Sequence, residues 1–599
     1  MLQLNNVVPT IVIYLLCADS VRAQSTALVE TVLASVLFVR TADHTPYYYG
    51  NYSLKLTSSG ANQLWATGYY FRTRYTSGST AIDGLSGDTL DNTQLFFLSY
   101  EDNLMSASMQ AFVQGLYPPA PLTSEHSSPI LDPSSILANE SYISYPGGNY
   151  QYVAIGTTDD DDPTSIITAG SSQCPAWQST SNNYTLSQAF KDDLNASQPI
   201  YQTAGSALLD DILDPTEWNY NNAYAIYDYL LYQSTHNQTA AKILNSTSTP
   251  GGTPGDLIPT LRNLASKQLY AINSNVDNDV SSDDITYLNT ISSISGATTA
   301  MAVLNILQDT IRTQGSSSSS SMQKLSVFMT EFDPFLGFAA SSQAVAKTPG
   351  FAGLPGYGAT MGWELYSLNS NTSSNTSSVS WETNDLYVRF VFRNGSDDLT
   401  QSDFEAVSYP LFDRDPDQAD MQWADFVRLM GNVAVGGVEE WCGRCEAQTL
   451  FCVAVNSLAA NGTAATGGDD GGVSNVVAGV IGAAVTIAAL LLIAVAAVML
   501  GGVRLRFTDS PVGAVAGRFT RNRRGGATNG SKFNATGDGQ GPSDKHESLQ
   551  SAVTAVDGAA ERRGKGESWE MRNMRRHSMD DDPIDLGDMG KPVEAIERV

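Results

Sequence analysis

Residues 476–500 form a run of 25 positions with no charged side chain, built mostly from Ala, Val, Ile and Leu. Such a run is long enough to cross a bilayer as one helix. Every other segment must then lie on one side or the other. Arg504, Arg506, Arg518, Arg521, Arg523 and Arg524 follow the run, so residues 501–599 are expected in the cytoplasm and the earlier residues outside or in a lumen. Those arginines either only orient the span or also hold acidic headgroups, at about 1 kcal/mol each. At the other end, residues 7–18 are mostly apolar, and Val21 and Ala23 suit a cut after Ala23. Residues 1–23 therefore read as a secretory signal peptide. The expected organisation is signal peptide, ectodomain (24–460), Gly/Ala/Thr/Asp-rich stalk (461–475), one transmembrane helix (476–500) and a disordered tail (501–599), a single-pass type I topology. The tail is rich in Gly, Ser, Asp and Arg; its Arg575-Arg576-His577-Ser578 run is either a docking or phosphorylation site or part of a solvated tail.

Charge separates the two sides. The chain holds 33 basic and 62 acidic residues; the 99 residues after the apolar run hold 16 and 15, which leaves 17 and 47 before it. An ectodomain this acidic is expected to bind no nucleic acid, which requires basic surface. The Asp159–Asp162 run reads as a solvated loop, with a calcium site as its alternative. Cys17 leaves with the signal peptide. Cys174, Cys442, Cys445 and Cys452 remain, and in an oxidising compartment two disulfides are expected, in any of three pairings. Cys442-x-x-Cys445 lacks the second pair or nearby His that a zinc set would need. Asn51, Asn139, Asn183, Asn195, Asn237, Asn245, Asn371, Asn375, Asn394 and Asn461 each begin an N-x-S/T sequon before the membrane, consistent with a glycosylated ectodomain.

Strands are expected at 34–40, 325–329 and 386–392 from apolar runs and alternation. Helices are expected at 57–75, 103–116, 224–232, 257–272 and 297–312, with a further island at 208–212. Strands mixed with helices point to an α/β core with a helical insertion.

One segment carries the chemistry. Val36-Leu37-Phe38-Val39-Arg40-Thr41-Ala42-Asp43-His44-Thr45-Pro46 is followed by Leu56-Thr57-x-x-Gly60-x-x-Gln63-Leu64-x-x-x-Gly68-x-x-x-Arg72-x-Arg74-Tyr75. This resembles the histidine acid phosphatases of the phosphoglycerate-mutase-like superfamily, in which a strand ends in R-H-G-x-R-x-P and L-T-x-x-G-x-x-Q-L opens the next helix. Ser106-Ala107, Phe112, Gly115-Leu116-Tyr117-Pro118, Phe332-Asp333, Gly358-Ala359 and Glu364-Leu365-Tyr366 are similar to its later motifs. The resemblance spans about residues 30–455 and implies a histidine-phosphatase-like α/β sandwich.

The family's chemistry needs a nucleophilic His, a second His, three phosphate-clamping arginines and an Asp that protonates the leaving group. Carried over, Arg40 matches the first arginine. Thr41 stands at the nucleophile, His44 at the second arginine, Phe332 at the second His, and Asp333 is kept. No Arg or Lys lies between Arg74 and Lys191. Only His44, His126 and His236 precede the membrane. With Asp43, Asp333 and Glu331 around one arginine, a phosphate dianion would meet repulsion, on the order of 4 kcal/mol per close like-charge pair. The expectation is a catalytically inactive binding or receptor-like module, with no metal or cofactor, in which Arg40 and His44 retain an anionic ligand. Tyr47, Tyr48 and Tyr49 border the same turn and suit a glycan or simply pack. The alternative is an active phosphomonoesterase with altered residues, in which Thr41, His44 and Asp333 act as nucleophile, base and acid.

Overall fold

The computed structural model describes residues 28–462, apart from 88–89, 120–135, 142, 144, 275–289, 314–322, 371–380 and 397–404. The expected signal peptide, transmembrane helix and tail, nearly all of the stalk, His126, Asn371 and Asn375 lie outside the described residues. Among those described, no helix is long and apolar enough to cross a membrane.

β1 (Leu28–Arg40) is the spine of an eight-stranded mixed sheet. Its neighbours are β4 (Leu325–Thr330), parallel, and β5 (Thr360–Ser370), antiparallel. β2 (Leu95–Tyr100) and β3 (Gly156–Thr158) extend the parallel side, and β6 (Leu386–Arg393), β7 (Val407–Ser408) and β8 (Asp420–Gln422) the antiparallel side. Both faces of β1 are covered over residues 36–39, which is why that stretch, Val36-Leu37-Phe38-Val39, is continuously apolar. Val36 and Phe38 enter the core with helices Ile294–Thr313 and Trp423–Val433, while Leu37 and Val39 enter the core with Ser58–Arg72 and Asn103–Leu116.

The resemblance motifs have physical reasons here. Thr57 caps the helix Ser58–Arg72 by accepting from Gly60 N at 3.1 Å. A Cβ at Gly60 would sit 2.1 Å from the carbonyl of Asp43, so only glycine lets the strand-end loop lie this close. Glu364, fully buried in β5, accepts from Arg74 Nε at 2.7 Å, Arg389 Nη2 at 3.0 Å and the Tyr75 hydroxyl at 3.0 Å. This ties the end of the first helix to the sheet.

A helical insertion lies between β3 and β4. The island expected at 208–212 is instead the close of a long helix, Gln188–Leu208, and the turn after it. Its buried stripe (Phe190, Ser197, Tyr201, Ala204 and Gly205) contains two polar or glycine positions and skips a turn, so its apolar period is faint. The helices Ala223–His236 and Leu257–Asn273 fold against it around a tyrosine-rich core. Of the three pairings left open, the structure pairs Cys174 with Cys445 and Cys442 with Cys452, packed beside Trp441 and Phe451. The Cys442-x-x-Cys445 thiols thus belong to two different bridges. The last helix, Leu450–Gly462, runs just past the expected domain end at 460.

Candidate functional site

In an open parallel sheet the chain ends of the strands are the usual binding edge. β1 ends at Arg40 and β4 at Thr330, and the chain following each converges there. Thr41 N donates to Thr330 O at 3.0 Å, and Gly358 N donates to Thr41 O at 3.2 Å. The loop after β1 is pinned by the next helix: Thr57 N donates to Asp43 O at 3.0 Å, and Asp43 N donates to Gln63 Oε1 at 3.1 Å.

The side chains brought to this edge are enclosed. Arg40 is 3% exposed, Thr41 0% and His44 1%. Arg40 Nη1 donates to the carbonyl of Pro355, and its guanidinium lies over Tyr357 (5.0 Å) and Phe332 (5.7 Å). Thr41 donates its hydroxyl to Glu331 Oε1 at 2.9 Å, and the Tyr47 hydroxyl donates to the same oxygen. Burial pushes the Glu331 carboxyl up to about 7, against the pull of Arg40 and those two donors. His44 Nδ1 lies 3.1 Å from the carbonyl of Thr45, so that nitrogen carries the proton. The ring packs against Tyr47 (4.6 Å) and Tyr357 (5.5 Å). Burial first, then Arg40, push its pKa down to about 3, so the imidazole stays neutral. Asp333 opens the helix Asp333–Ser341 and accepts from Asn273 Nδ2 at 3.1 Å; burial pushes it up to about 6. Phe332 packs edge-on against Tyr224 at 4.9 Å.

The insertion closes the edge, and this was not read from sequence. Helix Ala223–His236 delivers Tyr224, Tyr227 and Asp228 to the arginine. Asp228 accepts from Tyr47 N at 3.0 Å, lies 3.9 Å from His44 Nδ1, and is pushed by burial up to about 7. His236, at the end of the same helix, places Nε2 at 2.6 Å from Asp43 Oδ2, which also accepts from the Thr57 hydroxyl. Asp43 therefore turns away from Arg40 toward His236. One signal pointed to Asp228: Tyr224 and Asp228 stand four apart in a tyrosine-rich helix, so they share a face. Nothing local pointed to its partner.

Chemically, the cluster is one guanidinium engaged by a carbonyl and two rings, the buried carboxyl of Asp228, the half-buried carboxyls of Glu331 and Asp333, and a hydroxyl already given to Glu331. A phosphate would have to displace these contacts, and the neighbouring Arg262 is likewise engaged, its Nη2 donating to Leu354 O at 2.7 Å. No group of three His, Cys, Asp or Glu suited to a metal occurs among the described residues. In the Asp159–Asp162 run, Asp159 Oδ1 accepts from the backbone of Asp161 (3.0 Å) and Asp162 (3.1 Å), as in an ordinary turn.

Residues 21–250 match the family model described as histidine phosphatase superfamily (branch 2). Among solved structures, the chain is similar to the phytase from Citrobacter braakii (13% identity, 69% of this chain and 99% of that chain, TM-score 0.42). It is also similar to the Klebsiella sp. ASR1 phytase (11% identity, 71% and 98%, TM-score 0.42). A third is the Bifidobacterium longum multiple inositol polyphosphate phosphatase in complex with inositol hexasulfate (9% identity, 70% and 96%, TM-score 0.36). None of the curated proteins compared with the chain matches it.

Proposed function

We propose that this chain, whose residues 21–250 belong to the histidine phosphatase superfamily, branch 2, is a membrane-tethered pseudophosphatase: a binding or receptor-like ectodomain without phosphoryl-transfer activity. The observation that carries the reading is the closed strand end. Thr41 occupies the attacking position fully buried and bonded to Glu331, and Arg40 is bonded to Pro355 beneath Tyr357 and Phe332. Loss of a nucleophile alone typically costs about 10⁴–10⁶ in turnover, and here Arg40 and Arg262 are both given to backbone carbonyls. The same closure makes Arg40 a poor anchor for an outside anion, so a ligand has to be sought elsewhere on the domain.

Tethering rests on residues 476–500 and the arginines that follow. Export agrees with the exposure of Asn51, Asn139, Asn183, Asn195, Asn237, Asn245 and Asn394, the sequon positions with described side chains. Full-length protein is expected to resist carbonate extraction and to gain mobility on glycosidase treatment. The second reading, an active phosphatase, draws on the His236–Asp43 pair, since the His236 side chain is 28% exposed. Assay of the purified chain on p-nitrophenyl phosphate separates the two. Background rates are expected; turnover abolished by His236→Ala, His44→Ala or Asp333→Ala would establish the second reading instead.

A further inference from the structure

A second concavity lies where the insertion meets the chain after β4, and shares no residue with the closed strand end. It is an open groove of about 650 Å³ where three helices and the turn Pro349–Ala352 meet. Tyr184 comes from Pro175–Leu186, Asp192 and Asp193 from Gln188–Leu208, and Asn263, Lys267 and Tyr270 from Leu257–Asn273. The volume falls in the range of roughly 300–1,000 Å³ that small-molecule sites occupy. The backbone of Gly353 to Pro355 is the wall between groove and strand end: Gly353 lines the groove, Leu354 N donates to Ser266 Oγ at 3.0 Å, and Pro355 O receives Arg40.

The lining selects a ligand chemistry. Lys267 Nζ lies 2.6 Å from Asp193 Oδ1, so those charges offset each other. Asp192 accepts from Gln188 Nε2 at 2.7 Å and keeps its negative charge uncompensated by any cation of the groove. The groove thus carries one net negative charge and repels phosphorylated ligands. Two tyrosine rings offer apolar faces. Two carboxylates, an amide and an ammonium offer acceptors and donors around them, and hydroxyl-to-carboxylate bonds are among the stronger neutral-to-ion contacts. A neutral ligand with C–H faces and hydroxyl edges matches this set.

We propose that the groove is a binding site for a neutral saccharide, with Tyr184 and Tyr270 as the ring platform and Asp192 and Asn263 as the hydroxyl-binding groups. The proposal rests on the reading of the chain as a binding module and names where that binding occurs. The test titrates the full chain with methyl glycosides of mannose, galactose, glucose and N-acetylglucosamine, read by saturation-transfer NMR and calorimetry. Saturable binding of at least one is expected, at about millimolar Kd, near −4 kcal/mol. Tyr270→Ala and Asp192→Asn should each weaken it by about tenfold or more, while Tyr270→Phe, which keeps the ring, should retain it. No saturable binding of any glycoside, wild-type affinity in both weakening variants, or displacement by a tetralysine peptide would overturn the proposal. Phosphomonoester turnover measured in parallel reports on the pseudophosphatase reading alone, so the two can fail independently.

Discussion

Thr41, which the resemblance sets at the attacking position, is enclosed by its own partners. Thr41 is fully buried and donates to Glu331, whose oxygen also receives Tyr47. Restoring the residue that the family pattern implies should therefore not restore chemistry. Thr41→His is expected to leave p-nitrophenyl phosphate turnover at background. It should also lower stability by about 1–3 kcal/mol, because a larger ring must enter a filled site and the bond to Glu331 is lost. Turnover above background in this variant would show that a missing imidazole was the whole defect. Arg40 and Asp333 were singled out in the sequence by the resemblance. Their partners, Pro355 and Asn273, were not, because a carbonyl and an amide carry no motif.

Among the helices, the tightest junction is the crossing of Ser58–Arg72 and Asn103–Leu116. A Cβ on Gly68 would lie 2.0 Å from the carbonyl of Phe112, and one on Gly115 would lie 2.0 Å from that of Trp65. Both obstacles are backbone, so neither can swing aside. Gly68→Ala is expected to cost about 3 kcal/mol, at the upper end of ordinary overpacking, with urea denaturation as the measurement. Gly431→Ala is the control: its Cβ meets nothing, it lies within the helix Trp423–Val433, and helix propensity favours Ala by up to about 1 kcal/mol. Equal stabilities for the two variants would refute the close-approach argument. Elements with clear periods, such as β1, β4, β6 and these helices, were legible in the sequence. β2 and β5 were not recognised as strands, and the island expected at 208–212 met Gln188–Leu208 only at Leu208, because few residues of that helix are buried.

The whole domain should respond to pH through the closed edge. Burial raises Asp228 and Glu331 to about 7 and Asp333 to about 6, from ordinary values of 3.8, 4.5 and 3.8. A raised carboxyl favours the folded state fully below its unfolded pKa, and that contribution fades as pH climbs through its folded value. His44 acts oppositely: lowered from 6.5 to about 3, it costs stability as pH falls below 6.5. Three carboxyls outweigh one imidazole, so urea midpoints are expected to fall as pH rises from about 5 to 7.5. Asp228→Asn should flatten that slope. A midpoint that rises with pH over this window would contradict the burial of these groups.

Properties that reside in short stretches were readable from residue order: the apolar run at 476–500, the acidity of the first 500 residues, the capped helix after β1, and the absence of an imidazole at position 41. Each is a matter of period, composition or the identity of one residue. The tertiary structure alone decided what fills the strand end, because those contacts join residues far apart in the chain. Tyr47 meets Asp228 across 181 positions, and Asp43 meets His236 across 193. How a helical insertion folds back over a strand end depends on the packing of its tyrosine core against the loop after β1 and the chain after β4, and no local pattern encodes the distance it must cover.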